Sequence, residues 1–173
     1  MLRIPSTTAP HLAPHHPAVA SRRMAPTNVL RDQPRQTKRT PKPATAAPRR
    51  EIMIRVGAVV IRARLHDTVT ADRIWAQLPL YTTAETWGHA IHFETHVETG
   101  REATASATVT ASQIVYWSEQ DRILIGFGET PISGAGEIRL PSPCNIWATA
   151  LDDVAALAVV QPGERVAVLK ADS

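Results

Sequence analysis

His92, Glu94, His96 and Glu98 stand at alternate positions, with Ile91, Phe93, Thr95 and Val97 between and beside them. Imidazoles and carboxylates on one strand face are metal-ligand chemistry, so reach decides the matter. A strand advances about 3.3 Å per residue, which sets His92 and His96 about 13 Å apart, whereas a zinc ion holds its ligands at about 2.0–2.1 Å. One ion can take at most His92 with Glu94 or Glu94 with His96, and it then needs a ligand from elsewhere. The pattern reads as the wet face of a half-buried strand; no metal and no cofactor are expected.

The other chemical candidates are weaker. Gly126-x-Gly128 and Gly134-x-Gly136 are not followed by Gly-Lys-Ser/Thr, so neither is a phosphate loop; they read as bends in a sheet. Ser133 lacks the Gly-x-Ser-x-Gly elbow of a hydrolase. Cys144 cannot form an internal disulfide, being the single cysteine, and reads as a small core residue. The aromatic residues carry more. Tyr116 and Trp117 are adjacent in a strand-like run, so they point to opposite faces and only one of them can be core. With Trp87, Phe127, Thr130, Pro131 and Asn145 they make the candidate ligand site, an aromatic cleft with a few polar groups. Plain packing is the competing account.

These residues need a scaffold. The chain has 173 residues, 43% hydrophobic and 20% charged, the proportions of a globular domain with a hydrophobic core. No apolar run is long enough to span a bilayer and no secretory signal opens the sequence, so a cytoplasmic protein without membrane contact is expected. The net charge of +3 hides two unlike pieces. Residues 1–50 hold ten Lys and Arg against one acid, Asp32, with nine of the fourteen prolines and none of the eight glycines. Residues 51–173 hold nine Lys and Arg against fifteen acids. Residues 1–51 therefore read as a disordered Pro/Arg-rich tail and 52–173 as the folded domain. Three readings of the tail stay open: it precedes a natural start at Met53, it touches anions without specificity, or it targets an organelle. It has no aromatic residue to stack on bases, and the domain is acidic, so nucleic acid is expected only nonspecifically through the tail.

From Ile52 the pattern is short and β-rich. Ile52–Val56, Gly57-Ala58 and Val59–Leu65 predict a hairpin with a type II′ turn. Thr70 predicts an N-cap, with Ala71, Ile74, Trp75 and Leu78 as the apolar stripe of a helix that Pro79 ends. Further strands are predicted over 90–97, 108–117, 123–127, 145–149 and 164–170, with a hairpin loop at Ser118–Asp121. A short helix over 152–159 is capped by Asp152 or Asp153. Many short strands with two short helices predict a mainly β fold, a closed or nearly closed antiparallel barrel.

Several runs are familiar. Val56-Gly57, Leu65-His66-Asp67-Thr68-Val69-Thr70-Ala71, Leu78-Pro79-Leu80 and Thr86-Trp87-Gly88 before Ile91-His92-Phe93 resemble a family of small prokaryotic cyclophilin-like proteins. So do Val115-Tyr116-Trp117, the strand Ile123–Phe127 leading to Gly128-Glu129-Thr130-Pro131, and Cys144-Asn145-Ile146 with Gly163-Glu164-Arg165-Val166. The resemblance covers 52–171 and implies a cyclophilin-type barrel of about eight strands with a helix at each end; the family's molecular function is not settled. True cyclophilins are prolyl isomerases whose catalytic strand carries an Arg and, further on, a Phe and a Gln. The matching strand here, Thr86–Val97, has neither Arg nor Gln, and the loop Ser133–Pro143 has neither the Trp nor the His that walls their proline pocket. That Arg hydrogen-bonds the prolyl nitrogen as an amide with a barrier of about 18–20 kcal/mol twists, so no catalytic residue is carried across. The expected function is binding of a peptide or small ligand in the aromatic cleft. The alternative is a divergent prolyl isomerase with another electrophile.

Overall fold

A computed structural model describes residues 49–171; the expectations for the Pro/Arg-rich stretch before residue 49 lie outside the described residues. β1 (Glu51–Val56) and β2 (Val59–Leu65) form the hairpin, in register from Glu51–Arg64 to Val56–Val59. Gly57 takes φ +55 at the turn, a conformation that strains a residue with a Cβ. Ile52, Ile54 and Val56 alternate into the core, as do Ile61, Ala63 and Leu65 across from them. The outward Arg62 and Arg64 pair with Asp152 at 2.7 Å and Glu51 at 3.0 Å.

α1 (Val69–Gln77) starts two residues earlier than its sequence suggests. Thr68 is the N-cap, its side chain accepting from the Ala71 N–H at 3.1 Å. Thr70 is instead fully buried: its N–H and hydroxyl both donate to Glu102 Oε1, at 2.8 and 2.6 Å. A carboxylate from a distant loop thus satisfies one of the helix's unpaired N–H groups where the dipole favours negative charge. Ala71 and Ile74 are buried as the stripe requires, and Trp75 and Leu78 pack half-buried against the same core.

Eight further strands follow: β3 (Leu80–Thr83), β4 (Glu85–Thr86), β5 (Ala90–Glu94), β6 (Ser106–Val109), β7 (Gln113–Trp117), β8 (Arg122–Gly126), β9 (Ile138–Ala150) and β10 (Arg165–Lys170). They pair antiparallel in the order β3-β10-β1-β2-β9-β7-β8-β5-β4, with β6 beside β9. The two ends of that order are neighbours in the chain. Only Ala84 separates β3 from β4; it is fully buried, and its N–H donates to the Glu164 carbonyl at 2.8 Å. Residues 80–86 therefore pair with β10 through their first half and with β5 through their second, which nearly closes the sheet into a barrel and leaves little free edge.

Four element boundaries depart from expectation, each for a local reason. The β5 ladder stops at Glu94, yet Thr95 and Val97 continue the buried alternation because the Thr95 N–H and hydroxyl donate to the Asp121 carbonyl at 2.8 and 2.9 Å. The stretch 108–117 is two strands, since Thr110 and Gln113 bond each other across a turn at 3.0 and 2.9 Å. β9 begins at Ile138 rather than 145, because Pro141 and Pro143 fall where its register with β6 shifts, between the pairs Thr108–Arg139 and Ser106–Cys144. The helix predicted over 152–159 is a 3-10 helix, Val154–Val159, capped by Asp153, whose Oδ1 accepts from Ala155. Val154, Leu157 and Val160 are buried at a spacing of three, the period of that helix, and Ala158 is exposed.

The strands bury two separate apolar clusters. The barrel interior holds Ile52, Ile54, Phe93, Tyr116, Ile123 and Trp147. On the outer face of β5, β7 and β8, Ala90, Leu124 and Val115 are covered by Leu140 and Cys144, which β9 brings over them. The second cluster explains why β8 is buried on both faces.

Candidate ligand cleft

Tyr116 and Trp117 divide as adjacent strand residues must. Tyr116 is fully buried inside the barrel; its hydroxyl donates to Asp121 Oδ1 at 2.6 Å beside the Val97 carbonyl, and burial first, then Asp121, raise its pKa. Trp117 points outward and stays half-buried at the edge of the second cluster. There it meets Trp87, His92, Leu124 and Pro141 around a cleft of about 270 Å³.

Each wall has its own support. Trp87 lies in the β4–β5 turn, where its N–H donates to the Ala90 carbonyl at 2.9 Å. The next residue, Gly88, has φ +59, and a Cβ there would sit 2.8 Å from Pro131 Cδ and 3.0 Å from the Glu129 carbonyl, so only glycine lets the turn lie against that loop. His92 and Leu124 are register partners on β5 and β8. Pro141 belongs to the irregular stretch of β9, and Trp117 ends β7 with its indole N–H 3.4 Å from Glu119 Oε2. That contact, followed by Ser142 and Arg101, holds the Glu119 carboxyl below the usual range.

The cleft's polar wall is a three-residue set. Arg122 donates to His92 Nδ1 at 2.9 Å and pairs with Glu85 Oε1 at 3.1 Å, while His92 Nε2 lies 3.9 Å from Glu85 Oε2. Burial, then the Arg122 charge, lower the His92 pKa against the opposing pull of Glu85. His92 is therefore tied into the sheet, and Glu94, His96 and Glu98 are exposed as a wet face should be. Among the described residues no three His, Cys, Asp or Glu side chains are grouped to hold an ion.

Of the seven residues proposed from sequence, the structure brings Trp87 and Trp117 together and places the others elsewhere. Tyr116 is interior. Phe127 packs against the main core with its ring 6.0 Å from that of His89. Thr130 is buried, its hydroxyl bonding Ser133 Oγ at 2.9 Å and donating to the Arg139 carbonyl at 2.7 Å. Pro131 is exposed and supports the Gly88 turn from behind. Asn145 is wholly buried: its Oδ1 accepts from the Glu102 N–H at 2.8 Å, and its Nδ2 donates to Thr70 Oγ1 at 2.9 Å and the Gly100 carbonyl at 2.8 Å. Its amide binds the helix and the 100–102 loop to β9 rather than facing a ligand. Leu124, Pro141 and His92 are the lining residues that sequence reading missed as a group. The parity of β8 and β5 carried the signal for two of them; nothing local announced Pro141.

Residues 50–169, which form this nearly closed antiparallel barrel, match the cyclophilin-like family. The chain belongs to that family. It is also similar to the solution structure of the hypothetical protein AF2241 from Archaeoglobus fulgidus, at 28% identity and a TM-score of 0.65 over 74% of this chain and 99% of that one. No curated protein matches. Among the described residues no helix is long and apolar enough to cross a membrane.

Proposed function

We propose that this domain binds a peptide segment or a small ligand in the cleft between Trp87 and Trp117, without acting as a prolyl isomerase. The observation that carries the reading is two indoles, separated by thirty positions in sequence, half-buried around one cavity with Leu124, Pro141 and a single imidazole. Ligand sites combine such apolar walls with few polar groups, and aromatic-lined grooves suit proline-containing segments in particular. At about 270 Å³ the cleft falls just under the usual 300–1,000 Å³ of a small-molecule pocket, so it suits one side chain or one small ring.

Isomerisation is disfavoured because the strand matching the cyclophilin catalytic strand brings no guanidinium to the cleft. Arg122 supports the alternative, a divergent isomerase, since it reaches His92 from the neighbouring strand; its Nη1, however, is engaged by both His92 and Glu85. A protease-coupled isomerisation assay on a proline tetrapeptide, run beside a tryptophan-fluorescence titration with the same peptide, tests both. Saturable quenching with an uncatalysed isomerisation rate is expected. An accelerated rate lost in Arg122→Ala would install the isomerase reading in its place.

A further inference from the structure

The barrel has a second outward surface, opposite in character to the cleft. Val60, Arg55, Ala167 and Tyr81 form one register row across β2, β1, β10 and β3. The floor of the row is the small Ala167, and its flanks are exposed, Tyr81 at 71% and Val60 at 41%. Arg165 lies in the next row, opposite Thr83. Arg55, Arg165, Tyr81, Thr83 and Ala167 line a groove of about 810 Å³.

The charges in this groove are unlike those elsewhere in the domain. Acids outnumber bases over residues 51–173, and the other guanidinium groups there are engaged: Arg62 by Asp152, Arg64 by Glu51, Arg101 by Glu119, Arg122 by Glu85, Arg139 by Glu137, and Arg73 by the Glu98 carbonyl. Lys170 stacks over Trp75 at 4.7 Å. Arg55 and Arg165 alone in that span have no partner among the described residues, and both line the same groove. The nearby Glu164 lies over Gly57 and accepts from the Gln161 N–H at 3.2 Å, forming no ion pair with either.

We infer that this groove docks an extended acidic segment of a partner protein. Arg55 and Arg165 are diagonal neighbours on one sheet face, about 7–8 Å apart at Cα. Acids at alternate positions of an extended chain lie about 6.6 Å apart on one side, so two successive ones meet the two guanidinium groups, each suited to bidentate carboxylate pairing. Tyr81 and Ala167 supply the apolar contact beside them. The test is fluorescence anisotropy of the full chain with a labelled peptide carrying Asp at alternate positions, against an isomer with the Asp residues adjacent. Arg55→Glu with Arg165→Glu should weaken binding at least tenfold, with Arg55→Gln and Arg165→Gln following in the same direction. Trp117→Ala should leave binding unchanged, which separates this surface from the cleft. The inference is overturned if the charge-reversed chain binds as tightly as the parent, since the basic N-terminal stretch then carries the peptide. It is overturned equally if neither peptide binds at low salt, or if an oligonucleotide displaces the peptide and loses its own binding with the same substitutions.

Discussion

Arg122 donates to His92 Nδ1 at 2.9 Å, and because a guanidinium offers no lone pair, the proton of the neutral ring sits on Nε2, toward Glu85. Burial and the Arg122 charge both favour that neutral ring. The unfolded chain therefore takes up a proton at higher pH than the fold does, so stability is fully present above the ordinary value of 6.5 and falls as pH drops below it, until the folded ring also protonates. Thermal melts from about pH 7.5 down to about pH 5 should show this decline. His92→Gln should flatten the part that His92 contributes; an unchanged slope would mean another group is responsible.

Asn145 meets three partners from two segments, the helix and the 100–102 loop, with no water-facing side. Asn145→Ala removes the donor to the fully buried Thr70 hydroxyl and two part-buried bonds to the 100–102 loop, and a buried polar group left without its partner costs about 1–3 kcal/mol. Urea denaturation should register a loss of at least about 2 kcal/mol, far more than an exposed substitution such as Glu94→Ala on the wet face of β5.

Gly126 is required by what lies above it. A Cβ there would sit 2.5 Å from Ile138 Cγ2, where β9 crosses the barrel wall. Gly126→Ala should cost about 1–3 kcal/mol by overpacking. Combining it with Ile138→Ala removes the clash, so the double variant should be less destabilised than the two single losses added together.

Cys144 is closed to chemistry by its position. It is fully buried where β9 packs onto the outer face of β5, β7 and β8, and burial, then the Glu119 charge, push its thiol up to about 12. Iodoacetamide at about pH 8 should modify it only after unfolding, because the thiolate is the reactive form. Rapid labelling of the native chain would show that β9 opens.

The parts of this fold that were legible in sequence are those where one residue pair decides an outcome. Strand parity fixed the opposite fates of Tyr116 and Trp117, and the alternation from Ile91 to Val97 separated core from solvent even past the end of its ladder. The misreadings share another cause, a partner remote in sequence. Thr70 has the side chain of an N-cap, but Glu102 from a loop 32 residues away and Asn145 from β9, 75 residues away, claim it. Asn145 looked like a polar group for a ligand for the same reason. The strand predicted over 145–149 stops short of Pro141 and Pro143; a proline cannot donate to a ladder, and only the register shift opposite β6 shows how β9 tolerates them.

The cleft itself is tested most directly by the indole N–H resonances of the full chain. Trp75, Trp87, Trp117 and Trp147 give four such signals, and Trp147 is wholly buried in the barrel. Titration with a proline-containing peptide should shift Trp87 and Trp117 together along one saturation curve while Trp75 and Trp147 stay in place. Movement of Trp75 instead, or of no indole at saturating peptide, would contradict ligand binding between Trp87 and Trp117.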